Sequence, residues 1–536
     1  MRARALGRGS AAAGSTAALR RPSAAALVFL HGPDADARLR ELSATRARVR
    51  PALGALSAAL LSRRAHEALG FRSAGDFARE RLGVGARVLR EWARVARALA
   101  GLPVLRRAVL AGEASWTVAR RVVSELSPES EAEAVEWLRG RTVRAVEAIL
   151  AAHAAAGGPA EAQSGAKGEE ERVRVALPAT PALEAKWAAA CELARRMAGE
   201  ELPTWECAEA IAAECASAVG GGAFGEEDPA AASPSGRRAR RGVEARDPEP
   251  GLREAAFPQL RWKAPGARPD AELEPLLQGL EEASPRELDR RLRAAIGFLQ
   301  ALDFEMGRIL RQVVDRRLVP ELGFESFERY VQERLDLSPR TARRLVRLAR
   351  AEHRAPPVAS AFREGRITLL QAEALLRSAR GPESGSETGV AHAERVTLRR
   401  LREEEPARVD FVAPRSAARF FLAMAVRMGG LEAMLDHAIA TWLEAGARFR
   451  DYADCERDGW RCKVPACSAR RNLQSHHLRF RSAGGPDEPW NRTTLCAFHH
   501  QRGVHAGSVR IRGRAPDDLV FELGFGTFRS GDVRIA

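Results

Sequence analysis

Near the C-terminus, Cys462-x4-Cys467 is followed, after a 28-residue spacer, by Cys496-x2-His499. Three thiols and one imidazole, arranged as two short pairs, make the donor set of a four-coordinate structural zinc site. The alternative is a set of small core thiols with no ion. Cys455, seven residues ahead of the first pair, reads as a bystander. The same stretch holds a second set outside those pairs: His476, His477, Asn491, His500 and His505. Imidazoles near neutral pH can ligate a metal or move a proton. Residues 455–514 carry 12 Lys/Arg against 4 Asp/Glu. Much of the excess charge therefore surrounds the groups that could do chemistry.

In order, the chain reads Arg457-Asp458-Gly459-Trp460-Arg461-Cys462, His476-His477, Asn491, and Leu495-Cys496-Ala497-Phe498-His499-His500. Over about 55 residues this resembles the HNH endonuclease module. The resemblance implies a ββα-metal finger and metal-dependent cleavage of phosphodiester bonds in DNA. It implies His477 as general base, with His476 and His500 holding one divalent ion, Mg²⁺ or Mn²⁺. Asn491 would either orient His477 and its loop or touch the ion. His505 lies five residues beyond His500, one more than a second helix-borne ligand prefers, so it either ligates or contacts phosphate. Arg479, Arg481 and Arg502 are candidates for holding the nucleic-acid backbone. A rival reading keeps the zinc and DNA binding without catalysis, in a regulatory protein. A third makes RNA the substrate. The first two part at His477.

The finger's elements are legible. Leu473–Leu478 is short and free of Gly and Pro, a first strand. Arg479–Asn491, with Gly484-Gly485-Pro486, is a loop. Thr493–Cys496 returns, and Ala497–His505 opens a helix. Two further strand-like runs, Ser508–Arg512 and Leu519–Leu523, predict a buttressing hairpin.

The elements that must position this finger lie upstream, and they repeat. His66–Val123 aligns without a gap on Val319–Leu376 at an offset of 253, with 17 of 58 positions identical. Leu69-Gly70-Phe71 matches Leu322-Gly323-Phe324, and Glu80-Arg81-Leu82 matches Glu333-Arg334-Leu335. Val173–Pro178 corresponds more weakly to Val409–Pro414. A repeat changes the expected fold. Ser338-Pro339 and Ser284-Pro285 are helix starts, and Pro285 to about Val314 keeps apolar residues at helical spacing. Phe327–Leu335, a break, and Pro339 to about His353 resemble a helix-turn-helix. On its second helix Arg340, Arg343, Arg347 and Arg350 share one face, and Arg87, Arg90, Arg94 and Arg97 repeat the pattern. The stripe reads either as phosphate contacts or as a solvated face in an Arg-biased chain. This duplicated region ahead of the finger is similar, more loosely, to that of bacterial HNH proteins.

The expected fold is therefore mainly α, a duplicated helical region with helix-turn-helix-like units, plus a small C-terminal α+β ββα-metal finger with structural zinc. The expected units are a disordered tail at 1–32, helical halves at 33–218 and 271–447, a linker at 219–270, and the nuclease domain at 448–536. Gly157–Glu171 and Gly381–Gly389 also read as linkers. The chain has 536 residues, 85 Lys/Arg against 70 Asp/Glu, and a formal charge of +15, which points to a polyanion such as DNA. No apolar run reaches the roughly 20 residues of a membrane span, and seven Cys make no disulfide framework. The expectation is a cytoplasmic protein without a membrane partner, with the helical region binding DNA or forming a homodimer. No phosphate-cradling Gly loop or Ser/His/Asp arrangement is present.

Overall fold

The computed structural model describes residues 30–111, 113–139, 141, 145–150, 171–219, 269–377, 385–403, 407–445 and 451–530. The 219–270 linker, apart from its ends, and nearly all of the N-terminal tail lie outside the described residues. The protein is mainly helical, with small antiparallel sheets. We label the elements used below α1 (Gly32–Ser62), α2 (Ala86–Ala100), β1 (Arg172–Pro178), α3 (Pro181–Ala198), α4 (Thr204–Ala218), α5 (Pro285–Asp315) and α6 (Pro339–Arg354). Then come β2 (Arg408–Pro414), α7 (Arg415–Arg427), α8 (Leu431–Glu444), β3 (Leu473–His477) and β4 (Arg492–Cys496). A three-stranded sheet ends the chain: β5 (Arg510–Arg514), β6 (Asp518–Leu523) and β7 (Gly526–Arg529).

The repeat is longer than the sequence comparison found. α1 and α5 each span 31 residues, and their ends differ by the same offset of 253. α5 starts on a serine cap, Ser284 accepting the Glu287 N–H, with Pro285 at its first position. α1 starts without a side-chain cap, which weakened its signal. Each packs on the long helix that follows it, α1 on α2 and α5 on α6. Glycine makes this close approach feasible at equivalent positions. A Cβ on Gly54 would lie 2.9 Å from the Trp92 carbonyl oxygen, and one on Gly307 2.6 Å from that of Leu345. A π-helical turn recurs in both copies, at Ala78–Leu82 and Tyr330–Arg334.

The two halves do not sit apart. α1 packs directly on its counterpart α5. Arg81 forks onto Asp289 at 2.9 Å through Nε, and the equivalent Arg334 forks onto Asp36 at 3.2 and 3.0 Å. These are the same ion pair made twice, once in each direction. β1 pairs antiparallel with β2, and the register centres on Val175↔Phe411, which are themselves equivalent positions. α4 packs on α7 and α3 on α8, again reciprocally. The helical region is thus a pseudo-two-fold dimer contained in one chain. One apolar core runs through α1, α2, α5 and α6 of both halves. A second joins β1, β2 and their helices to the C-terminal residues 455–523. A third belongs to residues 304–401 alone.

Two expectations are corrected. The Gly381–Gly389 linker is shorter than read, because Ser386 caps a helix over Glu387–Arg395. The C-terminal hairpin is a three-stranded sheet, with β7 following a tight turn after β6. Among the described residues no helix is long and apolar enough to cross a membrane.

Candidate functional site: two Cys/His clusters near the C-terminus

β3 and β4 form an antiparallel hairpin in which Leu473 faces Cys496 and His477 faces Arg492. The chain then turns into a helix from Ala497, which continues as a π-helical turn over His499–Val504. Hairpin and helix bring together two groups of ligand-type side chains.

The first group is Cys462, Cys467, Cys496 and His499, all buried and mutually within 4.8 Å. The Cys462 and Cys496 sulfurs each lie 3.4 Å from His499 Nδ1, and Cys467 Sγ lies 3.9 Å from Cys496 Sγ. This cluster can hold a metal ion. Cys455 is buried but stands outside the cluster. Packed this closely without an ion, the four groups cannot all shed their protons. Burial pushes the Cys462 thiol up to about 12. Burial works against charge on His499 too, yet Cys467 and Cys496 hold it up at about 10. Hydrogen bonds from Cys462 and Cys467 pull Cys496 down. A cation held there would take over the role of those protons.

The surroundings of this cluster escaped sequence reasoning. His499 Nε2 lies 3.0 Å from the Gly70 carbonyl oxygen, in the first helical half. Arg399 Nη1 donates to the carbonyls of Cys462 (2.7 Å), Val464 (2.7 Å) and Cys467 (2.8 Å). Its own amide, with that of Leu398, donates to Glu80 at 3.0 and 2.6 Å. Such second contacts fix ligand orientation. Only the duplicated runs containing Gly70 and Glu80 hinted at importance, and they gave no partner.

The second group is His476, His500 and His505, also mutually within 4.8 Å. His476 is buried on β3. Its imidazole is held down to about 4, chiefly by burial and then by the neighbouring histidines, so it is neutral with a lone pair at pH 7. His500 is lowered for the same reasons, burial first. His500 Nδ1 lies 2.6 Å from the Gln474 amide oxygen, so an N–H there leaves Nε2 as the ligand atom. Phe480 stacks on His505 with ring centroids 5.2 Å apart.

The awkward five-residue interval from His500 to His505 has a local cause. On a regular α-helix five residues turn the chain about 140° out of line. Here the His505 N–H donates to the His500 carbonyl at 3.2 Å, the i to i+5 bond of a π turn. The wider turn returns His505 to the face that His500 occupies.

His477 lies just outside that group. Its Nε2 is 2.9 Å from Asp487 Oδ1, and Arg481 and Arg492 hold the same carboxylate. Asp487 was missed because one loop aspartate gives no sequence signal. Asn491 is fully buried. Its oxygen accepts the Arg479 N–H at 2.9 Å, and its amide donates to the Arg479 and Pro486 carbonyls at 3.1 and 2.8 Å. These bonds tie the two ends of the 479–491 loop together. Arg479, Arg481 and Arg502 are exposed. Arg340, Arg343 and Arg347 lie exposed on α6, as do Arg87, Arg90, Arg94 and Arg97 on α2. Arg343 pairs with Glu328, whereas Arg340 and Arg347 show no acid partner among the described residues.

Comparison with protein-family models, with curated proteins and with solved structures returned no match.

Proposed function

We propose that this chain is a metal-dependent HNH-type endonuclease acting on DNA, with β3, β4 and the helix after them as a ββα-metal finger. The observation that carries the reading is the convergence of His476, His500 and His505 beside His477. Three imidazoles from a strand and a helix offer an ion three nitrogen donors on one side. That donor set suits Mn²⁺ or another transition ion better than the harder Mg²⁺. Bound there, a divalent ion supplies a Lewis acid for the phosphate and its leaving oxygen.

The chain's own residues supply the rest. An N–H at His477 Nε2 donating to Asp487 leaves Nδ1 free to take a proton from water. Asp487 thereby sets the tautomer and the ring orientation. Asn491 pins the loop that carries Asp487, through the Arg479 and Pro486 backbone. Arg479, Arg481, Arg502 and the duplicated Arg stripes are phosphate-contact candidates.

The Cys462, Cys467, Cys496 and His499 cluster reads as structural zinc. Bonds of about 2.3 Å to sulfur and 2.05 Å to nitrogen in a tetrahedron put ligand atoms about 3.8 Å (S to S) and 3.6 Å (S to N) apart. The observed separations are 3.9 and 3.4 Å. All four positions are filled by protein, the closed arrangement of a structural site.

The test is a plasmid assay of the full chain with Mn²⁺ or Mg²⁺, beside His477→Ala. Loss of supercoiled plasmid with wild type only, at unchanged zinc content, is expected. No cutting by either protein, with DNA still bound, would replace the reading by a binding protein.

A further inference from the structure

A cleft of about 700 Å³ lies between the zinc-type knuckle, the start of α3, the π turn at Arg79-Glu80 and the short helix Leu398–Glu403. Nine cations and five acids line it. Four of the acids are already committed, and the fifth, Asp517, acts through space on Arg457 and Lys463. Glu403 serves Arg399 at 2.9 Å, Arg400 at 3.2 Å and Arg461 at 2.6 Å. Glu184 takes Arg470 at 2.7 Å. The Asp458 carboxylate takes Arg457 and the Thr494 N–H. Glu80 spends both oxygens on the Leu398 and Arg399 amides.

The cations are not all matched. Arg402 and Arg408 are exposed at the cleft and form no ion pair among the described residues; half-buried Lys463 forms none either, though Asp458, Glu403 and Asp517 attract it. Arg470 Nη1 is buried without a hydrogen-bond partner. A concave wall with spare donors and net positive charge focuses the field on an anion. Its volume lies within the range of ligand pockets. A neighbouring recess of about 60 Å³ shares Arg399, Arg400 and Lys463 and adds Pro465, Phe521 and Phe528.

We propose that this cleft is a second ligand site, separate from the histidine cluster, for a phosphate-bearing polyanion held by Arg402, Arg408 and Lys463. The recruiting chemistry is several phosphates in a row, as in a nucleic-acid strand or a free polyphosphate. The site does not depend on the nuclease reading. Its residues make no use of His476, His477, His500 or His505.

The experiment is titration of the full chain with sodium tripolyphosphate, by calorimetry, and with a fluorescent 20-nucleotide oligo-dT, by anisotropy. Wild type is compared with Arg402→Glu/Arg408→Glu, two exposed positions that bind no metal ligand. Arg402→Ser/Arg408→Ser serves if the charge reversal fails to fold. Zinc content and melting temperature should match wild type. At least a tenfold loss of tripolyphosphate affinity supports the site. Loss for oligo-dT as well assigns a nucleic-acid strand; loss for tripolyphosphate alone assigns a free polyphosphate. Millimolar tripolyphosphate without any heat of binding, or equal affinity in wild type and both variants, overturns the proposal.

Discussion

Arg399 makes the most demanding prediction. Its guanidinium is buried, and the two N–H bonds of Nη1 are shared among three knuckle carbonyls, those of Cys462, Val464 and Cys467. Nε is spent on Glu403 at 2.9 Å. Replacing Arg399 by Met keeps the apolar stem and removes every donor. A hydrogen bond to a charged group is worth about 1.5–3 kcal/mol, and breaking a buried charged arrangement from one side costs about 3–5 kcal/mol. The three carbonyl bonds share one nitrogen and do not add independently, so about 3–5 kcal/mol is the expected local loss. Two of the three carbonyls belong to residues of the cysteine cluster. If that cluster holds zinc, as proposed, zinc affinity should fall about 10–100-fold, the usual cost of a lost outer contact. Chelator competition on purified protein reads that affinity, and loss of Trp460 packing on melting reads the module. Arg399→Lys should recover part of both, since an ammonium donates but cannot span three acceptors and Glu403 together. If Arg399→Met holds zinc within threefold of wild type, the knuckle does not depend on this contact and the reasoning fails.

Three other perturbations follow from the geometry. Gly54→Ala and Gly307→Ala each drive a methyl into a carbonyl on the facing helix, so each should lower stability by about 1–3 kcal/mol in urea titrations. Equal wild-type stability in both would show that the helices can part at no cost. The unfolded His476 imidazole takes a proton near 6.5, the folded one only near 4. Metal-free protein should therefore lose up to roughly 3 kcal/mol of stability as pH falls from about 6.5 to 4, with no further loss from this group below that. His476→Gln should flatten that window, and an unchanged slope would remove His476 as its source. Finally, the chain has one histidine cluster among the described residues, on a scaffold whose pseudo-two-fold partner is internal. If it is a nuclease, nicked circles should accumulate well before linear plasmid, and direct linearisation at low protein would contradict this.

The C-terminal hairpin was largely legible from its runs free of Gly and Pro, and its strands fall within a residue or so of the expected bounds. The two Cys/His pairs come together as spacing suggested, and His476, His500 and His505 cluster as well. The π turn was not legible, because no residue in His499–Val504 announces an i to i+5 bond. Asp487, Gln474 and Arg399 were missed for a common reason. Each acts through one long-range contact, and single Asp, Gln or Arg residues are too frequent to signal one. In the helical region the middle of the repeat was visible through its identities. α1 escaped because its identities with α5 are sparse, Asp36, Arg38-Leu39-Arg40 and Gly54 in 31 residues. The pairing of β1 with β2 was out of reach, since alignment shows which positions correspond and not that corresponding positions touch.

That last point bears on how duplicated halves come to differ. Leu69-Gly70-Phe71 and Leu322-Gly323-Phe324 are the same run, but a Cβ on Gly323 would meet nothing within 4 Å. One on Gly70 would instead meet Leu523 at 3.1 Å and Val509 at 3.4 Å, and the Gly70 carbonyl faces His499. Phe71 stacks on Phe525 at 4.5 Å. Glu80 caps the helix that carries Arg399, while its equivalent Glu333 pairs with Arg329 in its own turn. Ser468, on the knuckle, donates to Asp76 at 2.7 Å. The C-terminal unit follows the second half in the chain and packs on it, yet it also contacts the first half through Gly70, Phe71 and Asp76. A metal in the cysteine cluster would thus hold together more than the finger: through His499 and Arg399, its loss should loosen the finger from Gly70 and Glu80.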